Sequence, residues 1–138
     1  IRVGINNNLG FSEEDRHENI RRIAEVSKLF IDTGIVTINC FVSPTIESRE
    51  KAKKIIGESD FIEVFIDTSI EECERRDVKG LYKKARKGLI KDFTGVSAPY
   101  EHPVNASLTI KTFNKNIEEC GEELYKFVIP KIKLNAEL

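Results

Sequence analysis

The stretch LGFSEEDRHENIRR, from Leu9 to Arg22, decides how the first part of this chain folds, because it contains the start of an amphipathic helix. Ser12 is a good N-cap, and the acids from Glu13 to Asp15 stand where the helix dipole favours negative charge. Asp15 also takes the N3 place of a capping-box variant. The sequence therefore predicts a helix that begins directly after Ser12.

The same helix carries polar residues on the stripe that becomes apolar farther along. With 3.6 residues per turn, one face holds Ile20, Ile23, Ala24, Ser27, Phe30 and Ile31. Arg16 and Asn19 extend this face towards the start of the helix. An arginine and an amide at these places predict either a crevice for a polar or anionic ligand, or an arginine paired with an internal carboxylate.

Length and composition indicate one globular domain. The 138 residues are 40% hydrophobic and 33% charged, with a formal net charge of -1. The chain is long enough to bury a core, and no stretch approaches the roughly 20 apolar residues of a membrane span. The charge gives no overall attraction to nucleic acid. We therefore expect a cytoplasmic protein with neither a membrane nor a nucleic-acid partner.

The cysteines and histidines of the chain show no metal-binding pattern. Cys40, Cys73 and Cys120 are odd in number and lie in segments with an apolar pattern. They are interpreted as reduced core thiols of a cytosolic protein rather than disulfides, metal ligands or nucleophiles. His17 and His102 are interpreted as surface residues, so no metal ligand is predicted in this chain.

Farther along the chain, β-branched runs alternate with helix signals. Strands are predicted at Ile35–Val42, Phe61–Asp67 and Ser107–Lys111, and helices at Thr45–Ile56, from Ser69 onward and at Lys115–Leu134. The inner face of the last helix should contain Ile117, Cys120, Leu124, Phe127 and Val128. Pro130 should kink or interrupt this helix. This alternation predicts an α/β fold with a parallel sheet. Since open parallel sheets usually have about five strands, a further segment is expected upstream of Ile1.

The segment between the second and third predicted strands is rich in basic residues. From Arg75 to Lys91 it contains eight lysines and arginines and one acid, Asp77. Such a run is typical of a solvated helix or of a mobile segment that faces a polyanion. The irregular stretch from Phe93 to Glu101 that follows is long enough to act as a lid or binding loop.

Several polar and aromatic residues describe a candidate site only when they are taken together. Ligands of parallel sheets bind beyond the carboxyl ends of the strands, and Ser43 stands at such an end, either as an N-cap or as part of a site. With Arg16, Asn19 and the basic segment, the phenylalanines Phe11 and Phe93 fit a site for an aromatic polyanion, that is, a nucleotide. Taken singly, Phe11 fits a hydrophobic staple and Phe93 a loop anchor.

Long motifs along the chain resemble those of the adenylylsulfate kinases. They are IR-x-G-x-N-x-x-LGFS-x-x-DR-x-EN-x-RR (Ile1–Arg22), KLF-x-D-x-G (Lys28–Gly34), VSP (Val42–Pro44), FIEVF-x-D (Phe61–Asp67), RD-x-KGLYKKAR (Arg76–Arg86), FTG (Phe93–Gly95) and PYE-x-P (Pro99–Pro103). The resemblance implies a P-loop kinase-like three-layer sandwich with a parallel sheet and a helical lid. It further implies a single domain over residues 1–138, with the lid at about 76–101.

The resemblance also implies an activity. These enzymes transfer the γ-phosphoryl group of ATP, with Mg²⁺, to the 3′-hydroxyl of adenylyl sulfate, which gives 3′-phosphoadenylyl sulfate in sulfate activation and assimilation. They usually form homodimers, and some are fused to ATP sulfurylase. Three alternatives stay open: another nucleotide kinase of the same fold, a non-catalytic module that binds adenylyl sulfate and regulates a partner, and a domain that binds nucleic acid through its basic lid.

Matching positions carry the family's site residues onto this chain. Phe11 and Phe93 would sandwich the adenine of adenylyl sulfate. The phosphosulfate, the ribose and the rest of the substrate would be held by Arg2, Arg16, Asn19, Val42, Ser43, Lys79 and Thr94. Ser43 also matches a serine that is phosphorylated in some members, and lid residues Lys83 and Arg86 would face the nucleotide phosphates.

Two family motifs do not occur in these 138 residues. They are the phosphate loop G-x-x-x-x-G-K-[ST] and the DGDN that precedes the residues matching Ile1 and Arg2. The acceptor site is therefore expected in this chain and most of the donor site upstream of it. Three single residues also depart from the family: Thr45 stands where an aromatic is common, and Asp92 and Ser97 replace a glycine and an aspartate beside FTG.

Overall fold

The first helix begins where the sequence predicts. Helix α1 (Glu13–Ile31) belongs to a computed structural model that describes residues 1–133. The Ser12 hydroxyl accepts a hydrogen bond from the backbone N–H of Asp15 at 3.1 Å, which satisfies one of the open donors of the first turn. The Asp15 carboxylate accepts the backbone N–H of Gly10 at 2.9 Å. The Asp15 side chain thus closes the turn before the helix, instead of accepting the backbone N–H of Ser12 as a capping box requires.

The described residues group into two compact units. The first contains Ile1–Phe61 and Lys83–His102, and the second contains Ile62–Tyr82 and the chain from 103 onward. A single domain over residues 1–138, with a lid at about 76–101, stays a prediction.

In the first unit, α1 packs against α2 (Ile46–Ile56). Their buried contact consists of Ile20, Ala24, Ala52 and Ile56, surrounded by Ile31, Ile55 and Phe61. The apolar stripe of α1 therefore forms the core as predicted, with one exception. Phe30 is 46% exposed, because Ile31 takes the place beside the core in the last turn of the helix.

The second unit contains a parallel pair of strands, which confirms the predicted α/β fold. Strand β1 (Val64–Asp67) pairs with β2 (Leu108–Lys111) in parallel, with Val64 opposite Leu108 and Asp67 opposite Lys111. Ile110 of β2 is only 1% exposed. Helices α3 (Ile70–Arg76) and α4 (Leu81–Arg86) follow β1 in the chain, and α5 (Ile117–Ile132) packs against β2.

Helix α5 begins with a full capping box between Asn116 and Glu119. Of its predicted inner residues, four are half-buried, but Ile117 is 86% exposed. Side chains of a helix lean towards its N-terminus, so the side chain of the first helical residue leans beyond the helix end. Pro130 does not interrupt the helix, which continues to Ile132. Leu134, where the helix was predicted to end, lies outside the described residues.

The predicted strand Ile35–Val42 is wrong, because this segment is irregular. The sheet of the described residues contains only β1 and β2. A strand is stabilised by hydrogen bonds to a neighbouring strand, and residues 1–133 place no strand beside this segment. Its apolar side chains are accordingly open to solvent, and Ile38 is 83% and Val42 60% exposed.

The thiols and imidazoles differ in part from their predictions. All three cysteines are free, but Cys40 is exposed because its segment is not part of a sheet, so the core prediction is wrong for it. His17 is half-buried rather than at the surface, and its Nε2 lies 3.3 Å from the Thr45 hydroxyl. His102 is exposed as predicted. Over the span that the structure describes, no helix has the length and apolar character that crossing a membrane requires.

Candidate functional site

A pocket of about 220 Å³ opens in the first unit beside the start of α1. It is lined by Arg2, Phe11, Arg16, Asn19, Cys40, Phe41 and Val42. Five of these seven residues were predicted as site residues from the sequence. The fold thus brings the N-terminal turn, the start of α1 and the end of the 35–42 segment around one cavity.

Two guanidinium groups accompany an open aromatic ring in this pocket. The Cζ of Arg2 lies 4.4 Å from the centroid of the Phe11 ring, and that of Arg16 lies 5.9 Å from it. Arg2 is held in place because its Nη1 donates to the carbonyls of Leu9, at 3.2 Å, and Gly10. Phe11 is 65% exposed, so most of the ring remains open for stacking. Positive charge beside a planar apolar surface suits an anion that carries an aromatic group.

Arg16 joins α1 to the loop that contains Phe93. Its Nε donates to the carbonyl of Phe11 at 2.9 Å, its Nη2 to the carbonyl of Asp92 at 2.9 Å, and its Nη1 to the Thr94 hydroxyl at 3.4 Å. These partners are neutral carbonyl and hydroxyl oxygens. The predicted alternative of an internal carboxylate partner is therefore not observed among the described residues, and the positive charge of Arg16 remains available to the pocket.

The loop after Asp92 is a closed turn. The carbonyl of Phe93 accepts the N–H of Ala98 at 3.1 Å, and the Ser97 hydroxyl accepts the N–H of Phe93 at 2.9 Å. Asp92 has a φ of 52°, a left-handed conformation that glycine adopts most easily and that fits the glycine implied here by the family resemblance. Ser97 supplies an acceptor that an aspartate would also supply. Both departures from the family pattern are thus compatible with the same turn.

Phe93 itself is half-buried and does not line the pocket, although it was predicted to stack on the ligand opposite Phe11. Thr94 also lies outside the lining and reaches the site only through its hydrogen bond to Arg16. Arg16 binds the residues on both sides of Phe93, so the position of this ring depends on the pocket's own arginine.

Ser43 is not the N-cap of α2. That place belongs to Thr45, the residue directly before the helix, whose hydroxyl accepts the N–H of Ser48 at 3.3 Å. The carbonyl of Ser43 instead accepts Nη1 of the buried Arg49 at 2.6 Å, and Nη2 of Arg49 donates to the carbonyl of Glu101 at 2.7 Å. Val42 lines the pocket and Ser43 does not, because Arg49 holds the chain at this point.

The remaining predicted contacts lie elsewhere in the chain. Lys79 belongs to the second unit, between α3 and α4, whereas Lys83 and Arg86 on α4 belong to the first unit but do not line the pocket. Their roles stay predictions. Sequence reasoning missed Cys40 and Phe41, whose signal was their position directly before Val42 at a predicted strand end.

A carboxylate on α1 organises the turn that carries Arg2. The Oε2 of Glu18 accepts Nε of Arg21 at 2.7 Å, and its Oε1 accepts Nε of Arg22 at 2.7 Å. These hydrogen bonds, that of Arg21 foremost, lower the pKa of Glu18 to about 2. Arg22 also donates to the carbonyl of Ile5 at 2.9 Å and to Oδ1 of Asn8 at 2.8 Å. Glu18 therefore fixes Arg22, which in turn fixes the 1–8 turn against α1.

This network predicts a pH-dependent loss of stability in Glu18→Gln. The folded pKa of about 2 lies below the ordinary value of 4.5, so the ionised carboxylate stabilises the fold above about pH 4.5, and this contribution is lost as the pH falls towards 2. The variant should melt below the parent at pH 7, and the difference should vanish near pH 2. Thermal melts from pH 2 to 7 measure this difference, and Glu25→Gln, whose carboxylate Oε1 accepts Nη1 of Arg21 at 3.3 Å, is the control. An equal difference in melting temperature between Glu18→Gln and the parent at every pH would contradict this prediction.

Several known proteins are similar to this chain. The pattern of the protein family described as adenylylsulphate kinase matches residues 1–111. The adenylyl-sulfate kinase of Bacteroides thetaiotaomicron is 61% identical over 133 residues, which cover 96% of this chain and 66% of that protein. The adenylyl-sulfate kinase of a Bacteroides fragilis strain is 59% identical, over 96% of this chain and 65% of that protein. This chain thus spans just under two thirds of the length of these two relatives.

A solved structure resembles the fold. It is that of a Mycobacterium tuberculosis APS kinase in complex with AMPPNP and APS, and it matches with a TM-score of 0.87 and 42% sequence identity. The match covers 93% of this chain and 75% of that chain.

Proposed function

We propose that this chain, which belongs to the adenylylsulphate kinase family, supplies the acceptor site of an enzyme that transfers the γ-phosphoryl group of ATP to the 3′-hydroxyl of adenylyl sulfate. The product would be 3′-phosphoadenylyl sulfate. The observation that carries the proposal is the pocket in which the guanidiniums of Arg2 and Arg16 lie 4.4 and 5.9 Å from the exposed ring of Phe11.

The groups of the pocket match the parts of adenylyl sulfate. The adenine would stack on Phe11, and the two guanidiniums would neutralise the phosphosulfate. The buried amide of Asn19 would hydrogen-bond a ribose or phosphate oxygen. Phosphoryl transfer needs positioning and charge neutralisation more than covalent help from the protein, and these side chains supply both for the acceptor.

Further contacts belong to the same proposal. They are Val42 at the pocket wall, Ser43 directly after it, Lys79, and Phe93 and Thr94 in the loop bound by Arg16. Support for Phe93 and Thr94 comes from the hydrogen bonds of Arg16 to Asp92 and Thr94, which tie this loop to the pocket. Ser43 as a site of phosphorylation, and Lys83 and Arg86 as contacts to nucleotide phosphates, are further parts of the proposal.

ATP with Mg²⁺ is the proposed phosphoryl donor. Residues 1–133 contain no group of three or more His, Cys, Asp or Glu side chains arranged to hold a metal ion. We therefore assign no Mg²⁺ ligand to this part of the chain. When bound with ATP, the ion would neutralise charge on the transferring phosphates.

The proposal includes a homodimer in the cytoplasm, with fusion to ATP sulfurylase as an arrangement known in the family. Three free thiols fit a reducing compartment. Light scattering on the purified chain would measure the oligomeric state.

The proposal is tested by the affinity of the chain for adenylyl sulfate. Phe11→Ala should weaken binding by about 1 to 3 kcal/mol, because each base stacked on an aromatic side chain contributes about that much. Phe93→Ala should weaken it by a similar amount if its loop closes on the base. Calorimetric titration with adenylyl sulfate measures both effects. Phe113→Ala, which removes a 70% exposed ring of the second unit, is the matched control. Unchanged affinity in both site variants would remove the stacking pair from the proposal.

A further inference from the structure

The amide of Asn19 is held by a second amide that does not line the pocket. The Nδ2 of Asn6 donates to Oδ1 of Asn19 at 2.9 Å. Asn6 is 0% exposed and Asn19 is 5% exposed, so both groups are removed from bulk water. Asn19 lines the pocket, whereas Asn6 lies behind it. A hydrogen bond between two buried amides requires one of them to present its NH₂ group and the other its oxygen, and here Asn6 is the donor.

The N-terminal turn holds Asn6 firmly against α1. The backbone N–H of Asn6 donates to the carbonyl of Ile1 at 3.2 Å, and its carbonyl accepts the N–H of Leu9 at 3.2 Å. Arg22 of α1 binds the adjacent carbonyl of Ile5 at 2.9 Å. The side chain of Asn6 therefore approaches Asn19 from a fixed backbone, as a positioning group requires.

The hydrogen bond decides what Asn19 offers to a ligand. Because Oδ1 of Asn19 is occupied by Asn6, the amide presents its NH₂ group, a donor, to the pocket. Arg2 and Arg16 also present only donors. If the amide of Asn19 were reversed, its oxygen would face the same anionic ligand and repel it. With all three of these side chains acting as donors, the pocket favours a ligand rich in acceptor oxygens.

Asn6 carries a structural cost that its contact with Asn19 explains. Its own Oδ1 is buried and has no hydrogen-bond partner among the described residues. A buried acceptor without a partner destabilises a fold, and such groups are concentrated where function requires the side chain. We propose that Asn6 is a positioning residue that orients the Asn19 amide so that its NH₂ group faces adenylyl sulfate. This inference rests on the proposed function of the pocket.

A double-mutant cycle on the full chain tests the inference, with adenylyl sulfate as the titrant. Asn19→Ala should weaken binding by about 10-fold, the effect of one buried hydrogen bond, and Asn6→Ala by about 3- to 10-fold. The double variant should bind no more weakly than Asn19→Ala alone, because Asn6 acts only through Asn19. Asn7→Ala, a change at an exposed neighbour in the same turn, is the matched control and should bind as the parent does.

Asn6→Asp separates orientation from charge. The carboxylate has the same shape but accepts hydrogen bonds, so Asn19 should turn its NH₂ inwards and its oxygen towards the ligand. Binding should fall by more than 10-fold in the parent background. In the Asn19→Ala background the same change should have a much smaller effect. An equal loss in both backgrounds would mean that the new charge, and not the Asn19 amide, causes it, and would overturn the inference.

Nuclear magnetic resonance on the parent gives a readout that needs no variant to fold. The NH₂ resonances of Asn19 should shift when adenylyl sulfate is added, and those of Asn6 should exchange slowly with solvent before and after. Binding without a shift at Asn19, or multiplied losses in the double variant, would overturn the role of Asn6 and leave the proposed function intact. A parent chain that binds no adenylyl sulfate would overturn both.

Discussion

A polypeptide of residues 1–138 should bind adenylyl sulfate and yet transfer no measurable phosphate from ATP to it. The acceptor pocket consists of side chains that these residues contain and bring together, from Arg2 to Val42. The groups that hold the β- and γ-phosphates in a P-loop kinase are a backbone nest, a lysine and a hydroxyl of the motif G-x-x-x-x-G-K-[ST]. That motif does not occur among the 138 residues. Binding and transfer should therefore separate in this polypeptide.

The measurement is the formation of 3′-phosphoadenylyl sulfate from ATP, made beside a calorimetric titration with adenylyl sulfate. The adenylyl-sulfate kinase of Bacteroides thetaiotaomicron is the positive control, and the same enzyme trimmed to the span that matches this chain is the matched control. The trimmed relative should lose transfer and keep binding. Transfer by the 138-residue polypeptide at a rate comparable to that of the control enzyme would mean that its own residues hold the ATP phosphates. The division into acceptor and donor parts would then be wrong.

The elements that local chemistry specifies were the ones that the sequence predicted well. Ser12 and Thr45 each precede an amphipathic run, and α1 and α2 begin directly after them. Gly57 ends α2 with a φ of 104°, which glycine adopts without strain. Helix caps and hydrophobic periodicity depend on residues that are neighbours in the sequence, so the local sequence is sufficient to predict them.

The 35–42 segment is an example of structure that the local sequence does not determine. Its β-branched composition is compatible with a strand, but a strand also requires a partner, and partners are specified by distant parts of a chain. The described residues place no strand beside it. Cys40 was assigned to a core for the same reason, and in the structure it is exposed and lines the pocket.

The candidate site was predictable to the extent that its residues share α1 or its preceding turn. Arg16 and Asn19 follow from helical spacing, Phe11 follows from the combination of aromatic and basic residues, and Arg2 follows from the family resemblance. The hydrogen bonds of Arg16 to Asp92 and Thr94 span more than 70 positions in the chain, at separations of 76 and 78 residues. The pair of Asn6 and Asn19 depends on the path of an irregular turn. Neither set of contacts gives a periodic pattern in the sequence, because both depend on the tertiary structure.

Arg16→Ala should weaken adenylyl sulfate binding by about 10- to 100-fold, since a hydrogen bond to a charged group contributes about 1.5 to 3 kcal/mol. The substitution removes a positive charge from the pocket and releases the loop at Asp92 and Thr94 together. Stability should change much less, because the bonds that Arg16 makes are exposed or partly buried and go to neutral oxygens. Arg16→Lys should recover only part of the affinity, since an ammonium keeps the charge but cannot reproduce the fork of three bonds.

Calorimetry and thermal melts on the same samples separate the two roles of Arg16. Arg21→Ala is the matched control, because Arg21 lies on the same helix, binds Glu18 and Glu25, and does not line the pocket. The control should lower the melting temperature and leave binding unchanged. Arg16→Ala should weaken binding and change the melting temperature much less. If Arg16→Ala instead melts far below the parent and binds adenylyl sulfate normally where it is folded, then Arg16 is a structural link between α1 and the 92–98 loop. The anion would in that case be held by Arg2 alone, and the pocket would lose one of the two charges on which its assignment depends.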